Sequence, residues 1–271
     1  MTDRYDIPRK AEYGVDAGYL LPLAGIVCIA IIVVAAISRS LVQLVAACAS
    51  FSCVGTGLHT SRRGKFLVWE ELLDDLHLRG DERILDLGCG RGAVLLSAAK
   101  RLPKGRGFGV DVWSRSDQTG NSVGATLRNA EAEKVSERVT PLTANMIALP
   151  FQSDTFDVVV SSVAIHNIRG RTGQATAIDE AVRVLRPGGR LLIADLSGTG
   201  AYARRLAGLG MAEIDRRSLG WRMWWGGPWR ATYLVKATKP ESGKGRPPNC
   251  IQPNGPEWLP SLVGYPWPVR S

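Results

Sequence analysis

The run Ile84-Leu85-Asp86-Leu87-Gly88-Cys89-Gly90-Arg91-Gly92 sets three glycines at alternate positions behind a short apolar segment. Glycines where a strand turns into a helix let the backbone fold back tightly and come close to a ligand, with helix N-terminal amides aimed at it. The spacing Gly88-x-Gly90-x-x-Ala93 also satisfies the dinucleotide fingerprint, so the glycines alone leave a nicotinamide cofactor open. Asp86 separates the two readings. A carboxylate there suits a ligand carrying an ammonium group and sits badly against a pyrophosphate. Gly109-Val110-Asp111 ends the next apolar run, and an acidic side chain at that spot accepts hydrogen bonds from ribose hydroxyls. It locates a nucleoside without choosing the cofactor.

A candidate general base stands further on. His166 lies in Ser161-Ser162-Val163-Ala164-Ile165-His166-Asn167, just past a strand whose C-terminal end should line a ligand crevice. An imidazole there can take a proton from a hydroxyl or a carbon acid, with Asn167 as an orienting partner. The alternative is a histidine that only positions substrate or caps the next segment. No metal site is expected. Cys28, Cys48, Cys53, Cys89 and Cys250 form no C-x-x-C pair, and the chain has 3 His.

Positioning these residues requires alternating strands and helices. The pattern predicts strands at Arg83–Leu87, Gly107–Val110, Val139–Leu142, Phe156–Ser161 and Arg190–Ala194. Helices are predicted at Lys65–Leu78, Ala93–Arg101, Val123–Lys134, Gln174–Leu185 and Ala201–Leu209. Short apolar runs alternating with amphipathic helices mark a doubly wound, Rossmann-like parallel sheet. Two more strands, Met211–Arg217 and Ala231–Ala237, flank Trp221, Met223, Trp224, Trp225 and Trp229, a cluster suited to a membrane interface, a substrate mouth or a buried core alike. The polar link Trp113–Ser122 reads as a lid over the ligand.

Ahead of this domain the chain is apolar. Tyr19–Ile37 has no charge over nineteen residues, about 28 Å of helix, which matches a bilayer core. Leu41–Leu58 is also uncharged but carries Gln43, Ser50, Ser52 and Thr56, so one or two transmembrane helices are expected. Arg4, Arg9 and Lys10 precede the pair and Arg62, Arg63 and Lys65 follow it, leaving Arg39 between. Two spans with both ends cytoplasmic satisfy the positive-inside rule. A cleaved signal peptide fits poorly, because acidic residues outnumber basic ones before the apolar run. Val45-Ala46-Ala47-Cys48 resembles a lipoprotein cleavage site, but export would part the domain from a cytosolic cofactor. The net charge of +9 fits attraction to anionic lipid; without long Lys/Arg runs, nucleic acid is not an expected partner. The expected organisation is a cytoplasmic tail over 1–18, a transmembrane hairpin over 19–58, a catalytic domain over 59–239 and a Pro-rich disordered tail over 240–271.

Four elements in order carry a resemblance. Asp86–Gly92, Gly109-Val110-Asp111, Leu149-Pro150-Phe151 leading into Phe156–Val160, and Leu185-Arg186-Pro187-Gly188-Gly189 together resemble the class I S-adenosylmethionine-dependent methyltransferases. They are similar to the small-molecule branch that includes ubiquinone and menaquinone biosynthesis enzymes. The resemblance covers about Lys65 to Lys239 and implies a seven-stranded sheet with the last strand antiparallel. It implies that Asp86 and the backbone of Gly88, Gly90 and Gly92 hold the methionine portion of S-adenosyl-L-methionine. Asp111 would take the ribose hydroxyls, and Val112 or Trp113 would pack on adenine. Asn145, beside Met146, stands where the family usually has Asp; its carbonyl can still accept from the adenine amino group. Ser161 would line the cofactor pocket. The implied activity is methyl transfer to a small, lipophilic acceptor at the membrane, where lipid is the other expected partner. A membrane-anchored NAD(P)-dependent oxidoreductase and a non-catalytic nucleoside-binding scaffold are the alternatives.

Overall fold

The computed structural model describes residues 11–14, 20–38, 41–114 and 118–241. The basic residues Arg4, Arg9, Lys10 and Arg39, the middle of the proposed lid and nearly all of the Pro-rich tail lie outside them.

Helices α1 (Leu20–Ser38) and α2 (Leu41–His59) pack on each other as a hairpin. The hydroxyls of α2 are satisfied within the helix: Ser50 Oγ donates to the Ala46 carbonyl, Ser52 Oγ to Cys48 and Thr56 Oγ1 to Cys53. Such back-bonding removes most of the cost of a hydroxyl in an apolar setting. Around these groups Leu41, Val42, Val45 and Phe51 are exposed. Helix α2 does not stop at its end. A π-helical turn, Thr60–Gly64, carries it into α3 (Lys65–Asp74), giving a continuous helix from Leu41 to Asp74, and the domain boundary read at residues 58 and 59 falls inside it. By length and composition this helix can cross a membrane.

The remaining elements are β1 (Arg83–Leu87), α4 (Ala93–Lys100), β2 (Arg106–Asp111), α5 (Val123–Ala132), β3 (Val139–Thr143), β4 (Phe156–Ser162), α6 (Gly170–Val184), β5 (Leu185–Asp195), α7 (Thr199–Gly208), β6 (Ala212–Ser218) and β7 (Tyr233–Thr238). The seven strands form one sheet in the order β3-β2-β1-β4-β5-β7-β6. Strands β1 to β5 pair in parallel, whereas β7 runs antiparallel to both neighbours. The period of two along each strand splits the core. Ile84, Val158 and Val160 pack with Trp69 and Leu73 of α3, while Leu85, Val159 and Ile193 pack with Ile178 of α6 and Tyr202 of α7. Asp86, on the same side of β1 as Ile84, is therefore turned toward α4.

Most segments agree with the sequence pattern to within a few residues, with two informative departures. Strand β5 begins at Leu185, before the Arg186-Pro187-Gly188-Gly189 stretch, and a register shift between Phe156 and Val158 absorbs the glycines. It also runs one residue past Ala194, to Asp195. The apolar pattern gave no reason to extend a strand into a buried carboxylate.

Candidate active site

A cavity of about 540 Å³ opens where the C-terminal ends of β1, β2, β4 and β5 meet. This is the expected ligand crevice of a doubly wound sheet. Asp86, Gly88 and Gly90 border it. The Asp86 carboxylate is 1% exposed; its Oδ2 accepts from the Leu95 amide at 3.0 Å, and its Oδ1 is buried without a partner. Burial pushes its pKa up to about 7, against the lowering by the Leu95 amide, and Asp111 nearby adds to the rise. A carboxylate held this way has one unmet demand, a cationic donor.

Gly88 must be glycine: its φ is +73°, and a Cβ there would lie 2.3 Å from the Cβ of Ala164. The loop is also clamped to β2. The amides of Gly88 and Cys89 both donate to the Val110 carbonyl, and the Gly90 amide donates to Asp111 Oδ2 at 2.8 Å. Gly92 does not border the cavity; it is the left-handed residue that opens α4. Cys89 is at the cavity, but burial, and behind it Asp86 and Asp111, holds its thiol well above the ordinary range. It is no nucleophile.

Asp111 borders the cavity with its carboxylate partly engaged. Oδ1 accepts from the Trp113 amide at 2.6 Å and from Asn121 Nδ2 at 3.3 Å, so capacity for a hydroxyl remains on Oδ2. Val112 is exposed at the cavity edge. Trp113 is not among the lining residues: its φ of +59° turns the indole away, and Nε1 donates to Thr143 Oγ1 at 2.7 Å. Asn145 and Met146 border the cavity, although the Asn145 Oδ1 already accepts from the Ile147 amide at 3.2 Å. Ser161 is displaced by the strand's alternation. Its hydroxyl donates to the Leu87 carbonyl at 2.9 Å inside the sheet, and Ser162 borders the cavity in its place.

His166 faces the cavity in a linked set that the sequence did not announce. Its Nδ1 lies 2.5 Å from Asp195 Oδ1, and its backbone amide donates to Asp195 Oδ2 at 3.0 Å. Asp195, at the end of β5, is fully buried and also accepts from the Leu196 amide at 2.8 Å and from the Tyr202 hydroxyl at 3.4 Å. Burial and then Asp195 itself hold that hydroxyl protonated, far above the ordinary tyrosine range. In this contact Nδ1 is the donor and the Asp195 oxygen the acceptor, which leaves Nε2 as the ring nitrogen not used by Asp195, on a residue that borders the cavity. Asn167 borders the cavity but is not the orienting partner.

Other bordering residues came without a readable signal. Gln118 Oε1 accepts from the Arg91 amide, and Gln118 Nε2 donates to the Tyr13 carbonyl. Tyr13 stands edge-on to Phe66, and Glu12 exchanges hydrogen bonds with Asn129, so the segment before the hairpin straps the same domain that follows it. Lys65, Trp225 and Arg230 complete one wall.

Residues 85–193 match the family model described as a methyltransferase domain. Among curated proteins, the chain is 35% identical over 135 residues to a ubiquinone/menaquinone biosynthesis C-methyltransferase of Dinoroseobacter shibae, covering 49% of this chain and 50% of that protein. The chain thus spans about half the length of the curated relatives it matches. Among solved structures it is similar to a geranyl diphosphate methyltransferase in complex with S-adenosylmethionine (TM-score 0.52, 18% identity, covering 67% of this chain and 87% of that one). It is equally similar to the [4+2]-cyclase SpnF (TM-score 0.52, 20% identity, covering 64% and 82%). At such identities the likeness is one of fold.

Proposed function

We propose that this chain, which carries a class I S-adenosylmethionine-dependent methyltransferase domain, methylates a small lipophilic acceptor with an ionisable hydroxyl, at a membrane. The observation that carries the cofactor reading is the buried, unpartnered Oδ1 of Asp86 beside the Gly88 turn. An ammonium group satisfies that oxygen; a diphosphate would be repelled by it, which disfavours a nicotinamide cofactor. Asp86 and the glycine loop would hold the methionine portion, Asp111 the ribose, and Val112, Asn145 and Met146 the adenine side.

When bound, S-adenosylmethionine supplies a methyl on a sulfonium that departs as a neutral thioether. The protein's residues orient and deprotonate. Holding the acceptor in line with that methyl is worth roughly 7–11 kcal/mol of barrier. His166 Nε2 takes the hydroxyl proton, and Asp195 fixes the ring through Nδ1. The anion would then take the methyl on oxygen, or on a ring carbon conjugated to it, in which case that carbon's own proton leaves afterwards to solvent and restores the conjugated ring. General-base help of this kind contributes about 10²–10⁴-fold.

The membrane reading rests on the apolar hairpin and on the strap. Residues 11–14 before α1 and the domain after α2 pack together, which requires both ends of the hairpin on one side. With the positive-inside rule, that side is the cytoplasmic one.

Titration calorimetry of the detergent-solubilised full chain tests the cofactor: S-adenosylmethionine should bind and Asp86→Ala should abolish binding. Binding of a nicotinamide dinucleotide instead would overturn the reading. Mass spectrometry of lipids and quinones from cells with and without the gene should show species differing by one methyl group.

A further inference from the structure

The loop between β6 and β7 is a built structure, not a slack connection. Trp224 bridges Ala231, the Trp225 amide donates to the Arg230 carbonyl, and Trp225 Nε1 donates to Thr232 Oγ1 at 3.1 Å. It is fastened along the junction of α2 and α3 at four levels. Gly226 approaches the Cys53 carbonyl, so that a Cβ there would be 3.7 Å from it. Trp221 stacks on His59 at 5.0 Å between ring centroids. Thr60 Oγ1 donates to the Trp224 carbonyl at 2.7 Å, and Gly64 packs directly on the Arg222 backbone. Arg222 in turn forks onto Glu71 of α3 at 2.6 and 2.7 Å. Cys53 and His59 are about 9 Å apart along the helix, so the loop reaches down the end of the apolar hairpin.

What this loop leaves exposed is unusual. Trp221 is 59% exposed and Trp229 is 72% exposed, with the Trp229 indole folded over Gly227. Arg230, next to Trp229 in the chain, is exposed, and so is Arg62, three residues past the His59 that Trp221 stacks on. Amphipathic indoles with arginines, level with the end of a membrane-length helix, match the headgroup layer of an anionic bilayer. The same loop forms a wall of the catalytic cavity through Trp225 and Arg230.

We infer that the β6–β7 loop is an interfacial platform, with Trp221 and Trp229 inserted among the headgroups of an anionic bilayer, Arg62 and Arg230 on lipid phosphates, and the cavity supplied with acceptor from that surface. The inference rests on the membrane-anchored reading above. It is tested with the full chain reconstituted in phosphatidylcholine–phosphatidylglycerol vesicles, with and without bromine on the upper acyl carbons. The emission of the two indoles, taken as the difference between wild type and the Trp221→Phe/Trp229→Phe variant, should fall several-fold in brominated vesicles. Equal difference emission in both vesicles overturns the platform. The single Trp229→Phe variant, at the most exposed of the two, repeats the measurement should the double variant misfold. Alkaline carbonate extraction separates the failures: retention with unquenched indoles removes the platform alone, whereas release removes the anchoring beneath it.

Discussion

Replacing Asp86 with Asn should make the ligand-free protein more stable and the enzyme worse. Folded Asp86 holds its proton up to about pH 7, whereas an unfolded aspartate loses it near 3.8, a gap of about 4 kcal/mol. The sign follows from proton counts. Between those pH values the folded state binds more protons, so stability falls as pH rises, and the full penalty is present above pH 7. Asp86→Asn removes that penalty but leaves an amide hydrogen without an acceptor, at a cost of about 1–3 kcal/mol. The net gain at pH 8 is about 1–3 kcal/mol, and it shrinks by about 1.4 kcal/mol for each pH unit below 7. Ligand binding should move the other way. In the wild type the ionised fraction of Asp86 falls about tenfold per unit well below pH 7, and the dissociation constant for S-adenosylhomocysteine, which keeps the ammonium group, should rise with it. In Asp86→Asn, affinity should drop by about 100-fold or more, with no titration in that window. Thermal melting and titration calorimetry from pH 5 to 8 measure both arms. A variant that melts below wild type at pH 8, or a wild-type affinity flat across the window, would refute the reasoning.

Three further perturbations probe separate parts of the molecule. His166→Gln should lower kcat by about 10²–10⁴ with cofactor affinity intact, and Asp195→Asn should also lower kcat by misdirecting the ring; single-turnover assays with unchanged calorimetric binding would show this, and unchanged kcat in both would remove the dyad from the chemistry. Gly88→Ala should destabilise the fold by about 2–4 kcal/mol through its positive φ and the contact with Ala164; adding Ala164→Gly should recover the contact part only, as read from melting temperatures. Gly64→Ala should push the β6–β7 loop off the helix, because its Cβ would collide with the Arg222 carbonyl; faster proteolysis within residues 219–231 is the expected sign.

What the sequence disclosed was local. The glycine turn, Asp86 and Asp111 could be read because a strand end, its turn and its carboxylates fall within a few residues of one another. The alternation of strands with helices followed from the same short runs, whereas the seven-stranded sheet with its last strand antiparallel was what the resemblance implied. Features made by contact between distant segments were hidden: Asp195 meets His166 from a different strand, and its charge disguised the end of β5. Ser161 and Ser162 differ only in which side of β4 they face, and a one-residue ambiguity in pattern exchanges them. Trp113 looked like an adenine contact by position, but a left-handed residue redirects its side chain. The hydroxyls of α2 blurred the second apolar run because their donation to preceding carbonyls leaves no trace in composition.

The π-helical turn at Thr60–Gly64 has a rotational consequence. One additional residue in a helix swings everything beyond it by roughly 100° about the axis. Deleting a residue there, so that ordinary α geometry resumed, would leave the hairpin and the sheet individually sound yet turn the sheet half to a different compass bearing. The five residues set azimuth: they decide on which side of the long helix the sheet stands relative to α1.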